Sequence, residues 1–183
     1  MKKIAVFFAT GFEEIEALTV VDLCRRAQID VTMVSVTGDK QVTGSHGITV
    51  LTDAVFEEMD CSLLDMLVLP GGMPGTNGLE NHEGLMVQVD TFFSQEKYVA
   101  AICAAPSIFG HRGIVKGKEA CCYPGFESHM EGALVNENAV NIAKNVITSR
   151  GMGTAIDFGL AIVETLCGKD SATILAEKIV YFK

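Results

Sequence analysis

A chain of 183 residues, 20% of them charged and 49% hydrophobic, has the balance of a globular protein and enough length to bury a core without metal or disulfide support. Its formal net charge of −9 argues against a nucleic-acid partner, because such binding draws its affinity from neutralised phosphates. No apolar stretch approaches the ~20 residues of a membrane-spanning helix, and the acidic Glu13-Glu14 follows the apolar start where a signal peptide would be cleaved, so the sequence implies a cytoplasmic protein with no membrane partner and six reduced cysteines.

Residues 4–9 form a continuous apolar run ended by Thr10-Gly11, the pattern of a strand buried on both faces of a parallel sheet. A helix is expected over 13–27, with Ile15, Leu18, Val21 and Cys24 at helical spacing and Arg25-Arg26 at the end where cations suit the dipole. A β-branched strand over 31–36 and a turn at 37–40 follow. Residues 42–51, interrupted by Gly44 and Gly47, read as a short antiparallel excursion.

A third buried strand over 66–69 runs into Pro70-Gly71-Gly72-Met73-Pro74-Gly75, and residues 84–94 are helical in pattern. The strand over 98–102 leads directly to Cys103, and Pro106 opens the next helix. Residues 113–138 are rich in glycine and glutamate and read as mostly irregular. A strand over 146–148 then enters Ser149-Arg150-Gly151-Met152-Gly153-Thr154. The pattern over 154–167 is apolar nearly all round and closes at Gly168, and Asp170 is expected to cap a last helix reaching about residue 180. Strands alternating with helices imply βαβ units and a mostly parallel, doubly wound α/β sheet. No linker divides the chain, so residues 1–183 are expected as one domain.

In an open sheet of this kind, sites form at the carboxyl ends of the strands. Parallel strands would therefore bring the segments starting at Gly11, Pro70, Cys103 and Ser149 to one rim. Cys103 lies between a buried strand and a helix start, with Ala101, Ala104 and Ala105 around it, as in a nucleophile elbow. A helix N-terminus beside the thiol would favour the thiolate. Pro70-Gly71-Gly72, together with the Ala104 N–H, could supply oxyanion donors. Of Glu13, Glu14 and Glu16, two are accounted for as first-turn carboxylates that complement the helix dipole. A third, turned inward, could share a proton with Cys103, and spacing does not choose among them. None of His46, His82, His111 and His129 adjoins Cys103 or forms a metal-binding pattern. His129 is the downstream loop candidate for a Cys–His dyad. The other five cysteines lack the context of Cys103 and read as structural.

Gly11-Phe12-Glu13-Glu14-Ile15-Glu16, Leu69-Pro70-Gly71-Gly72, Ala101-Ile102-Cys103-Ala104-Ala105-Pro106 and Thr148-Ser149-Arg150-Gly151-Met152-Gly153-Thr154 stand in the order found in the ThiJ/PfpI family. The chain resembles most the branch of that family holding the parkinsonism-associated protein deglycase and bacterial YajL. The resemblance spans nearly the whole chain and implies a flavodoxin-like three-layer sandwich with a mostly parallel central sheet, usually homodimeric.

Carried over by motif, Cys103 matches the family's oxidation-sensitive nucleophile, and Glu16 the acidic residue that hydrogen-bonds it. The N–H groups of Gly72 and Ala104 match its oxyanion-type donors. The resemblance implies a cysteine-dependent stress protein, with no cofactor, acting on small carbonyl metabolites or glycated proteins in the manner of a glyoxalase or deglycase. The alternative it carries is a redox sensor or redox-regulated chaperone using the same thiol. Two positions depart from relatives. Ala104 stands where the protease-like branch has a histidine, which removes the expectation of peptidase activity. Tyr123-Pro124 stands where many relatives have histidine and proline, and tyrosine, with an unperturbed pKa near ~10, is a poor base at neutral pH.

Overall fold

The structure, a computed structural model, describes residues 1–181. The chain runs β1 (Lys3–Phe8), α1 (Glu14–Arg26), β2 (Asp30–Ser35), β3 (Gln41–Thr43), β4 (Thr49–Leu51), β5 (Ala54–Val55) and β6 (Met66–Leu69). It continues through α2 (Gly75–Glu80), α3 (Glu83–Ser94), β7 (Tyr98–Ile102), α4 (Pro106–His111), β8 (Glu119–Ala120) and β9 (Leu134–Val135). It closes with β10 (Val140–Ala143), β11 (Val146–Ser149), α5 (Ala155–Cys167) and α6 (Lys169–Lys178). Seven strands form one sheet in the order β10-β11-β7-β6-β1-β2-β5, parallel throughout except for the β10–β11 edge pair. None of the helices among the described residues is long and apolar enough to cross a membrane.

The continuous apolar strands make a three-layer sandwich because successive side chains point to opposite faces. Ile4, Val6 and Phe8 of β1 join Met66, Val68 and Ala100 in a core closed by α1, α5 and α6. Ala5 and Phe7 face the other way, with Leu67, Leu69 and Val99, into a core closed by α3 and α4. Both faces of the central strands are dry, so their carboxyl ends are held rigidly.

Four departures from the sequence pattern have local causes. Helix α2 escapes the pattern because Gly75, Asn77 and Gly78 are weak helix formers, and it is anchored instead by Thr76, whose N–H and hydroxyl both donate to the Gly72 carbonyl (2.8 and 3.0 Å). Edge strand β10 carries a buried polar residue, Asn141, satisfied by Asn136 and Asn138. The stretch 113–138 is not wholly irregular: β8 and β9 pair in parallel within it. Asp170 does not cap α6. Gly168 (φ +89°) holds that position without a side-chain bond, leaving Asp170 in the first turn as a partner for the dipole.

Gly110 of α4 sets the path of the loop after β8. A Cβ there would run into the His129 carbonyl oxygen, so the loop that returns from Tyr123 and Phe126 lies directly on the helix. A glycine-to-alanine change in a helix ordinarily stabilises by up to ~1 kcal/mol, but overpacking against backbone costs about 1–3 kcal/mol. Gly110→Ala is therefore expected to lower the urea midpoint at unchanged m-value. A midpoint equal to or above the parent's would show that the loop is not fixed by this contact.

Candidate functional site

Strands β11, β7, β6 and β1 are parallel neighbours, so the four loops leaving their carboxyl ends meet as the sequence implies. Between them lies a cavity of about 570 Å³ lined by Glu13, Glu16, Gly72, Cys103, Ala104, Tyr123 and Arg150, among others.

Cys103 adopts φ +67°, the left-handed region that costs an L-residue roughly 1–2 kcal/mol. Two backbone bonds hold it there. Its N–H donates to the Ser149 carbonyl (3.0 Å) and its carbonyl accepts from the Tyr123 N–H (2.8 Å). Ser149 is fixed in turn, donating to the Ala139 carbonyl (2.7 Å) and bonding the Thr154 hydroxyl (2.7 Å). Strain held this way turns the thiol out of the sheet and into the cavity.

Glu16, in the first turn of α1, is the glutamate that turns inward. It is 1% exposed. Its Oε2 accepts from the Gly71 N–H (2.9 Å), while its buried Oε1 has no partner. Burial pushes its pKa up to about 7, against the pull of the Cys103 side chain and the Gly71 N–H. Gly71 has to be glycine: a Cβ would lie 2.6 Å from the Cβ of Cys103 and 2.8 Å from Glu16 Oε2. Gly72 (φ +90°) sits so close to α1 that a Cβ would strike the Glu13 nitrogen.

The thiol does not follow the expectation of a thiolate favoured by a helix N-terminus. Burial pushes Cys103 up, to about 12, and the neighbouring Glu16 charge and hydrogen bond add to the rise, whereas the N–H groups of Gly72 and Ala104 act downward. Helix α4 begins three residues further on and is a turn and a half long, so its end contributes little. Two of the three causes that raise the thiol vanish once Glu16 holds a proton. Thiol and carboxyl therefore titrate as a pair that resists losing both protons.

The other two glutamates serve a hairpin. Glu14 accepts from the N–H groups of His46 (2.8 Å) and Ile48 (3.4 Å) at the β3–β4 turn. Although burial opposes it, these and other hydrogen bonds bring its pKa down to about 2. Glu13 accepts from the Ser45 hydroxyl (3.2 Å) and lies 3.6 Å from His46 Nδ1. These contacts bring His46 to the cavity wall, a residue for which the sequence carries no signal beyond the glycines around its turn. His129 makes no dyad with Cys103. It pairs with His111 (3.1 Å), which is bonded to Glu80 (2.6 Å). Tyr123 does line the cavity, packed beside Gly151.

Among the described residues, Glu13, Glu14 and His46 bring ligand-type atoms within 4.8 Å of one another. The Ser45 hydroxyl bonds all three, and Glu14 favours the charged form of His46. The cluster is thus already satisfied as a hydrogen-bonded tie between α1 and the hairpin.

Residues 2–165 match the sequence profile of the DJ-1/PfpI family. Protein DJ-1 homolog B of Arabidopsis thaliana is 36% identical over 98% of this chain, which spans 41% of that relative's length. The glutathione-independent glyoxalase DJR-1.2 of Caenorhabditis elegans is 30% identical, covering 91% of this chain and 89% of its own. The solved structure of Toxoplasma gondii DJ-1, oxidized, superposes over 100% of both chains with a TM-score of 0.96 and 32% identity. This is the flavodoxin-like fold expected from the motifs.

The raised pKa of Glu16 links stability to pH. The folded state binds the proton more tightly than an unfolded glutamate at 4.5, so stability from this group is fully present below pH 4.5 and lost as pH rises to about 7. At ~1.4 kcal/mol per pH unit the loss is about 3 kcal/mol. Glu16→Gln, which cannot ionise, should lack it. The unfolding free energy of the variant relative to the parent is expected to grow by about that amount between pH 4.5 and 8 in urea titrations. A difference flat with pH would mean that the carboxylate ionises in the fold without cost.

Proposed function

The chain belongs to the DJ-1/PfpI family, and from that premise we propose that it is a cysteine-dependent enzyme acting on small reactive 2-oxoaldehydes such as methylglyoxal. The observation that carries the reading is the pairing, in one cavity, of a strained thiol with a buried carboxyl whose pKa stands at about 7. The name of the Caenorhabditis elegans relative, a glutathione-independent glyoxalase, supports it.

The chemistry starts from the singly protonated pair, in which Glu16, the more acidic group, holds the charge and takes the thiol proton as sulfur attacks. Sulfur adds to the aldehyde carbon, a C–S bond forms, and the carbonyl π electrons move to oxygen, which takes the proton from Glu16. The N–H groups of Gly72 and Ala104, already directed at the sulfur, would steady that oxygen as charge builds. Glu16, now a carboxylate, removes the hydrogen of the former aldehyde carbon as a proton and delivers one to the adjacent carbon. The first carbon is thereby oxidised to the thioester level and the second reduced to an alcohol, so electrons balance within the substrate. Water cleaves the thioester, giving a 2-hydroxyacid and restoring the thiol. Tyr123, standing where a histidine would assist, leaves Glu16 as the proton carrier beside Cys103.

Incubation with methylglyoxal and chiral analysis of lactate tests the assignment. The parent protein should form lactate, and Cys103→Ala should reduce the rate by roughly 10³-fold or more, as removal of a covalent nucleophile does. Equal conversion by both proteins would remove Cys103 from the reaction.

A further inference from the structure

Arg150 lines the same cavity, and nothing in the mechanism above uses it. Its Nε is buried and has no hydrogen-bond partner, and no ion pair among the described residues includes its guanidinium. A buried guanidinium donor left unpaired costs more than most polar groups and calls for a partner. The absence is notable in a chain with 23 acidic residues against 14 basic ones.

The other charged groups of the cavity do not compensate it. His46 is spent on Glu14 (3.1 Å) and Glu13 (3.6 Å). Glu16 lies beyond ion-pair distance of Arg150, its Oε1 equally without a partner. Arg150 is therefore the cation of the cavity that no ion pair among the described residues holds, while Glu13 and Glu14 together outweigh His46. The cavity also has more room, at about 570 Å³, than a three-carbon dicarbonyl fills.

We propose that Arg150 is an anion subsite of the Cys103 cavity, and that the protein's substrates are carbonyl compounds carrying a carboxylate or phosphate. The substrate class rests on the function proposed above; the subsite does not. A carboxylate or phosphate supplies the planar or multiple oxygens that a guanidinium fork binds through two hydrogen bonds. The carbonyl is then presented to sulfur.

The first test requires no turnover. Iodoacetate and iodoacetamide alkylate thiols alike and differ in charge, so their rates at Cys103, followed by peptide mass spectrometry, report the subsite directly. Relative to glutathione, Cys103 is expected to prefer iodoacetate about tenfold, and less so in high salt. Arg150→Gln should abolish the preference and Arg150→Lys retain part of it, with iodoacetamide rates unchanged in both. A parent preference no greater than that of glutathione, or one that survives Arg150→Gln, overturns the subsite. Should Arg150→Gln fail to fold, the parent preference and its salt dependence decide.

The second test compares kcat/KM for methylglyoxal, 4,5-dioxopentanoate and the phosphate ester of 3-hydroxy-2-oxopropanal. Arg150→Gln should raise KM about tenfold for the anionic compounds and leave methylglyoxal unaltered, and the anion with the larger change identifies the natural group. An equal loss on all three overturns the specificity role. Turnover of none, with the iodoacetate preference intact, overturns the carbonyl chemistry and upholds the subsite.

Discussion

The hydrogen bond from the Gly71 N–H to Glu16 Oε2, 2.9 Å long and buried, is the contact on which the site depends. It ties the first turn of α1 to the loop leaving β6, and the same loop returns a bond from the Glu13 N–H to the Gly71 carbonyl (2.9 Å). Helix and loop are thus clamped in both directions with a glycine between them. The missing Cβ of Gly71 is the space in which Cys103 and Glu16 meet. Any side chain there would separate thiol from carboxyl, whatever the rest of the fold did.

Rigidity below the rim makes that contact informative. β1, β6, β7 and β11 are buried on both faces, so their ends cannot drift, and the strained φ of Cys103 is sustained by bonds to Ser149 and Tyr123 from two separate segments. A left-handed cysteine costs free energy that only such over-determination holds in place. The fold supplies position; the chemistry follows from what is buried at that position.

How far the sequence foretold this differs by kind of information. The buried strands were legible because continuous apolar runs have few other uses, and with them the convergence of Gly11, Pro70, Cys103 and Ser149 on one edge. Helix α2 and strand β10 were not, since glycines and a buried asparagine are stabilised there by partners distant in the chain. Glu16 was one of three equivalent candidates until the family motif separated them. The structure gives the physical reason: Glu14 reaches the β3–β4 turn, Glu13 the rim, and Glu16 alone is buried against Gly71. His46 was invisible because its approach depends on a hairpin docked through bonds from the Gly11 N–H to Thr43 and from the Ser45 N–H to Phe12 (both 2.8 Å).

Electrostatics is where local sequence misleads most. A cysteine before a helix suggests a stabilised thiolate, yet burial outweighs the two N–H groups and drives the thiol upward. The same burial raises Glu16, so neither group ionises cheaply, and both being ionised is worse still. The least costly charged state is a single negative charge on Glu16, whose pKa lies far below that of the thiol, with the proton kept on sulfur. Any chemistry at sulfur therefore begins with the thiol proton passing to Glu16, across the short gap that the missing Cβ of Gly71 leaves between them.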